Sequence, residues 1–203
     1  MQEATPPDIS AGISALGGDH EDETFTGIEG DNAELHSATF SQCTFRNSSL
    51  QFAKLTNCVF EHCVFDCCNL SLLQVHTTKI IRAQFLNSKL SGINWSNASG
   101  IFSASFTGCM MDNSSFTSMN LSKYTFQSCS FRDASFMDTK LAHATFDDCD
   151  LRRCTFQNTD LSFADFSTSY NYFISADSNK LYKAIFSLPE AVSLLANFNI
   201  TLK

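Results

Sequence analysis

The stretch ATFDDCDLRRCTFQNTDLSFADF, residues 144–166, sets Cys149 and Cys154 close together among aspartates and arginines. Two thiolates could hold a soft or borderline metal ion, or cycle between dithiol and disulfide. The neighbouring carboxylates Asp147, Asp148, Asp150, Asp160 and Asp165 could pair for general acid–base work. Zinc, however, favours tight C-x2-C pairs that converge on one point with two further Cys or His ligands. The nine cysteines of this chain are instead spread from Cys43 to Cys154. Which of these chemistries is open depends on the elements that place the side chains.

Those elements follow a period of five. Stepping by five from Phe25 to Trp95 meets fifteen positions, all large and apolar except Gly30. One extra residue falls near SNASG (96–100), after which Ile101, Phe106, Met111, Phe116, Leu121 and every fifth residue to Phe166 are apolar without exception. Fourteen of the twenty phenylalanines lie on this ladder, which composition alone does not produce. Neither a helix of period 3.6 nor a strand of period 2 keeps a step of five on one side, so the chain must turn once per repeat.

Two residues before the ladder positions small side chains dominate: Ala33, Ala38, Cys43, Ser48, Ala53, Cys58, Cys63 and Cys68, and later Cys149, Cys154, Thr159 and Ala164. The remaining three positions are mostly polar. One large and one small inward residue per five predict a square coil of four pentapeptides, with twenty residues per turn and coils stacked as parallel strands. Residues 24–170 make about seven coils, a rod of about 34 Å at parallel-strand spacing. Each buried Phe or Leu contributes about 2 kcal/mol, enough to hold a fold whose contacts run between neighbouring coils.

This pattern removes most of the chemistry. Eight cysteines (43, 58, 63, 68, 109, 129, 149 and 154) occupy the small inward position and only Cys67 falls outside it. There they serve as small buried hydrophobes equivalent in size to Ala and Ser. Cys109, Cys129 and Cys149 come one coil apart, within reach of a disulfide, but a buried and unactivated thiol stays a thiol in a reducing compartment. His36, His62, His76 and His143 fall at outward positions, no Ser/His/Asp triad is spaced to form, and no Gly-rich phosphate loop is present. A filled coil leaves no pocket. The reading is all-β, not an enzyme, with no catalytic residue, cofactor or metal.

The net charge of -8 is concentrated in the first 34 residues, which carry nine acids and no Lys or Arg. Clustered basic residues of the kind that bind nucleic acid are absent. No stretch of eighteen apolar residues and no basic-plus-apolar leader exists, which predicts a soluble cytoplasmic protein with no membrane contact and reduced cysteines. Residues 1–23, with Pro6-Pro7, Gly17-Gly18 and DHEDE, read as a flexible acidic arm.

After Phe166 the repeat frays, and Asn171 takes the next ladder slot. Residues 171–203 read as a cap. Ser187-Leu-Pro-Glu190 has the form of a capping box, and Ala191, Leu194, Leu195 and Phe198 follow an amphipathic helical stripe. Ile200 and Leu202 then alternate as in a short strand. So short a helix must pack on something. It is expected to close the end of the coils and, where it leaves apolar surface uncovered, to form a homodimer seam through Leu188, Ala191, Leu194, Leu195, Phe198, Ile200 and Leu202.

Repeats such as Cys68-Asn-Leu-Ser-Leu72, Cys149-Asp-Leu-Arg-Arg153 and Ala164-Asp-Phe-Ser-Thr168 resemble the A(D/N)LXX signature of pentapeptide-repeat proteins, whose fold is the right-handed quadrilateral β-helix. The tail FSLPEAVSLL, with NYFI before it and CNLSLLQV and SGINW in the centre, resembles the albicidin-resistance type. That group is related to microcin B17 immunity proteins and to the MfpA and Qnr quinolone-resistance proteins. The resemblance implies a dimeric rod joined at its C-terminal ends that binds DNA gyrase or topoisomerase IV as a DNA mimic and relieves poisoning by albicidin, a quinolone or a peptide toxin. The long projecting loop of the Qnr proteins has no counterpart in a ladder broken only by one residue near 96–100. Under this reading the partner-facing acids are Asp133, Asp138, Asp147, Asp148, Asp150, Asp160 and Asp165, seven acids against four bases (132, 140, 152 and 153). The other reading is a repeat scaffold for a different protein, with no topoisomerase role.

Overall fold

The computed structural model describes residues 13, 16–100, 102–198 and 200. The chain is a parallel β-solenoid, the quadrilateral β-helix that the period of five predicts, and it divides into two compact units. The first runs through Leu90 and takes in Asn97–Ser105; the second comprises Ser91–Ser96 and everything from Phe106 on.

In the first unit one side of the coil is the strand set Thr24–Thr26, Thr44–Arg46, Val64–Asp66 and Ala83–Leu86. A second side is Asp19–Glu21, Thr39–Ser41, Val59–Glu61 and Lys79–Ile81, and a third is Glu34–His36, Lys54–Thr56 and Gln74–His76. Single bridges Glu29↔Ser49↔Asn69↔Lys89 make the fourth. Every register is a step of twenty, as in Phe25↔Phe45 and Phe45↔Phe65. In the second unit Phe106 pairs with Phe126 and Phe126 with Phe146, while bridges such as Ser115↔Ser135↔Thr155 carry the other sides. Asn94↔Ser115 is a step of 21, which locates the single inserted residue.

The ladder is the core. Phenylalanines one coil apart stack at 4.9 Å (Phe45–Phe65) or 5.0 Å (Phe126–Phe146), and those on adjacent sides meet edge to face, as Phe126 and Phe131 do at 88°. Both geometries suit the ring quadrupole. Gly30, the one gap in the ladder, is filled from outside the repeat. A Cβ on Gly30 would lie 2.7 Å from Ile13 Cγ2 and 2.6 Å from Leu50 Cδ2, and Ile13 is fully buried.

The right-angle corners come from the residue two after each ladder position, which adopts the left-handed region. Six successive corners, Gln42, Asn47, Phe52, Asn57, His62 and Cys67, have φ between 48° and 59°. Asn and Asp tolerate this conformation best among non-glycine residues, which accounts for their frequency here. Where no strand forms, the corner closes as a turn: the Ala53 N–H donates to Leu50 O at 3.1 Å.

Three expectations about the ends are corrected. Residues 19–21, expected in a flexible arm, form a strand paired to Thr39–Ser41, because His20 already takes the inward slot and stacks on Phe40 at 5.0 Å. The helix is only Leu188–Ala191 and continues as a 3-10 segment, Val192–Phe198. Its capping box does not form. Ser187 makes no side-chain cap, because its hydroxyl and N–H are both taken by Tyr172 Oη at 3.2 Å. Ile200 lies outside any strand, and Leu202 lies outside the described residues. Asn171 does lose the ladder slot, and the buried residues there are Tyr172 and Ile174.

Candidate partner-binding surface

The cysteines have a more specific part than that of small hydrophobes. Cys63 Sγ donates to Phe40 O at 3.3 Å, and Cys154 Sγ to Phe131 O at 2.8 Å, in each case the ladder carbonyl 23 residues earlier. Thr139 and Thr159 hydroxyls do the same to Phe116 O and Phe136 O, and Ser169 to Phe146 O. The inward slot therefore favours a small side chain that also donates, which satisfies a carbonyl lone pair in the wall. Burial pushes the Cys63 thiol up to about 12 and raises that of Cys154 as well, so these thiols stay protonated. Cys67 is exposed. Among the described residues no group of three or more His, Cys, Asp or Glu could hold a metal ion.

The seven expected acids do not form one face. Asp133 is gripped by Arg153 through two hydrogen bonds of 2.6 Å, and that contact holds its carboxyl below the usual range. Asp150 is only 4% exposed. It accepts from Arg132 Nε at 2.7 Å, Asn171 Nδ2 at 2.8 Å and the Arg152 N–H at 3.2 Å. Burial works to raise its pKa, but the hydrogen bonds from Asn171 and Arg132 outweigh it and leave the carboxyl below its ordinary value. Asp160 holds Lys180 at 3.2 Å.

Asp150, Asp160 and Asp165 share a structural duty. Each stands just before a ladder residue and accepts the N–H of the residue two further on: Arg152, Ser162 and Ser167, at 3.2, 3.0 and 2.9 Å. Asn69, Asn94 and Asn120 make the same Asx turn to Ser71, Ser96 and Ser122. The Asp or Asn of the repeat signature is thus a turn-former. Of the seven, Asp147, Asp148 and Asp165 fall on one side, with Thr168 Oγ1 donating to Asp147 at 3.0 Å and accepting from the Asp148 N–H at 3.1 Å. Asp138 stands at another corner, bound by Asn158 Nδ2 at 3.2 Å.

Further exposed acids, which the sequence reading assigned to an arm or passed over, lie on several sides of the first coil. Asp19, Glu21, Asp22, Glu29, Asp31 and Glu34 all lie exposed on the first coil. Glu34 pairs with Lys54 at 2.8 Å, which lowers its pKa through that hydrogen bond, and Asp31 accepts the Gln51 N–H. Asp19, Glu21, Asp22 and Glu29 form no ion pair among the described residues. The missed signal was the step of about twenty: Glu34 and Lys54, Asp133 and Arg153, and Asp160 and Lys180 are each twenty apart, and Arg132 and Asp150 eighteen.

Of the expected dimer residues, Leu188 is 88% exposed, Leu195 and Ile200 are also exposed, and Ala191 and Leu194 are half-buried. Ile185 and Val192 extend the exposed apolar set. Phe198 closes the 3-10 segment.

A square coil walled by parallel strands, with one large and one small residue inward per five, defines the class as a pentapeptide-repeat β-helix. The family model for the pentapeptide repeat region matches residues 78–152 and 99–170, and that for pentapeptide repeats (8 copies) matches residues 45–75, together more than half of the chain. The chain belongs to the pentapeptide-repeat family. No curated protein sequence matches it. Among solved structures it is similar to full-length QnrB1, a plasmid-mediated fluoroquinolone resistance protein, at 17% identity and a TM-score of 0.47, over 90% of this chain and 100% of that one. It is also similar to HetL, a pentapeptide-repeat protein involved in heterocyst differentiation regulation from Nostoc sp. strain PCC 7120, at 17% identity and a TM-score of 0.28 over 84% of each chain. Rfr23 from Cyanothece 51142 matches at 11% identity and a TM-score of 0.15, over 84% of this chain and 85% of that one.

Proposed function

We infer that this chain is a non-enzymatic cytoplasmic protein that binds DNA gyrase or topoisomerase IV in the manner of a DNA mimic and protects it from a poison such as albicidin, a quinolone or a peptide toxin. The observation that carries this reading is the tail FSLPEAVSLL, which resembles the albicidin-resistance type. Its Leu188, Val192 and Leu195, and Ile200 beyond it, are exposed and suit a second copy of the chain across a two-fold axis. Asp138, Asp147 and Asp148, acids of the second unit outside its ion pairs, suit a basic DNA-binding surface.

Purified protein is expected to preserve gyrase supercoiling against albicidin or a quinolone, and to inhibit it at higher concentration. No effect on gyrase or topoisomerase IV at any concentration would overturn the reading. Light scattering is expected to give about twice the 22.5 kDa chain mass, and Leu195→Asp to give monomers. A monomeric wild type would remove the dimer.

A second reading, a scaffold for a different protein partner, is favoured by the exposed apolar corner of Phe52 and Leu72, 44% and 43% exposed. They are consecutive along one corner, since the Phe52 N–H donates to Ser71 O. Recovery of one non-topoisomerase partner, lost on Phe52→Asn with Leu72→Asn, would support this reading over the first.

A further inference from the structure

One corner of the second unit departs from the rest in charge and in aromatic content. Lys123, His143, Phe163 and Lys183 occupy it on successive coils, each in the left-handed region, with φ between 55° and 67°. Backbone bonds place them in line: the Lys123 N–H donates to Ala142 O, that of His143 to Ser162 O and that of Phe163 to Tyr182 O. Their spacing is therefore about one strand separation, 4.8 Å.

The side chains are stacked on one another. The His143 imidazole lies parallel to the Phe163 ring, centroids 4.6 Å apart at an angle of 3°. The Lys183 ammonium sits over Phe163 at 5.7 Å and over Tyr182 at 5.4 Å. Tyr182 meets Phe163 edge-on at 5.3 Å. A bulky residue in the left-handed region is conformationally disfavoured, and Phe163 is 39% exposed as well. Neither packing in the core nor the corner geometry calls for Phe here, whereas Asn or Asp would relieve both.

The corner carries no carboxylate, and none of the ion pairs among the described residues uses Lys123, His143 or Lys183. The nearby Asp160 is already held by Lys180 and by the Ser162 N–H. The result is two lysines, Lys123 and Lys183, with His143 and an apolar aromatic edge between them, and His143, Phe163 and Lys183 are held together by stacking before any ligand arrives.

We propose that this corner docks an extended acidic segment of a partner protein, one whose carboxylates meet Lys123 and Lys183 while an apolar side chain rests on the exposed edges of Phe163 and Tyr182. A strand laid along the corner presents side chains on one face about every 6.8 Å, so two such steps span the roughly 14 Å between Lys123 and Lys183, which stand three coils apart. Nucleic acid fits less well. His143 stacks on the Phe163 ring at 4.6 Å and the Lys183 ammonium lies over it at 5.7 Å, so both compete with a base for that ring. This docking is independent of the gyrase reading and does not involve the acidic first coil.

The test is fluorescence anisotropy with a labelled peptide of alternating Glu and Leu, run against the full chain alongside a labelled single-stranded oligodeoxythymidine and a Lys/Leu peptide. Saturable binding of the acidic peptide is expected, weakened by salt and reduced about tenfold by Lys183→Glu or Lys123→Glu. Phe163→Asn, which suits the left-handed corner and preserves the fold by its melting curve, is expected to weaken it as well. Absence of saturable binding, binding unchanged by all three substitutions, or preference for the oligonucleotide would each overturn the proposal.

Discussion

Thr159 Oγ1 donates a hydrogen bond of 2.6 Å to the carbonyl oxygen of Phe136, one coil and one corner away. The same contact recurs at many inward Cys, Ser and Thr residues, among them Cys58, Thr78, Ser88, Thr139 and Cys149, and it joins the two halves of the repeat code. The ladder residue supplies apolar surface, and the small residue caps the carbonyl that the ladder residue leaves in the wall.

Thr159→Val keeps shape and removes the donor, leaving Phe136 O short of a partner in a dry interior. A loss of about 1–3 kcal/mol is expected in denaturant unfolding, with Thr159→Ser close to wild type. Equal stability of the Val and Ser variants would show that the bond contributes nothing.

The buried thiols should be silent in the native protein. A thiol-specific reagent is expected to modify Cys67 alone quickly, and all nine cysteines only after unfolding, because eight are buried. Rapid native reaction of Cys149 or Cys154 would contradict the packed coil.

Gly30 and Ile13 share one space. Gly30→Leu is expected to destabilise by about 1–3 kcal/mol through overpacking against Ile13 and Leu50, and a second change, Ile13→Gly, to recover part of that loss. Additive losses in the double-mutant cycle would mean that Ile13 does not fill the gap.

Asp150 sets an acid limit. Its folded pKa lies below the ordinary carboxylate value, so its contribution is present above about pH 4, the unfolded value, and is lost as pH falls through the folded one. Asp150→Asn is expected to lower the melting temperature at pH 7 while flattening its decline below pH 4. Parallel acid limbs for the two proteins would place the titration elsewhere.

Much of this was legible in the sequence, because a step of five repeated so many times admits few backbones. The ladder from Phe25 to Phe166, the inserted residue before Ile101, the inward cysteines and the loss of register at Asn171 follow from local spacing alone. The corner conformation left a fainter trace, in the Asn and Asp residues two after each ladder position. The tail was read less well. Ser187 and Glu190 have the right types for a capping box, but the hydroxyl and N–H of Ser187 are taken by Tyr172, fifteen residues earlier.

The sequence by itself determined the coil, its core and its period, since those depend on side-chain size and spacing that can be counted along the chain. Which acids face solvent uncompensated was decided only by the tertiary structure. Asp133, Asp150 and Asp160 are matched by cations on neighbouring coils, while Asp19, Glu21, Asp22 and Glu29 meet none among the described residues. The physical reason is that charges compensate across coils, some twenty residues apart, and a carboxylate's surroundings depend on the coils above and below it as much as on its own place in the repeat.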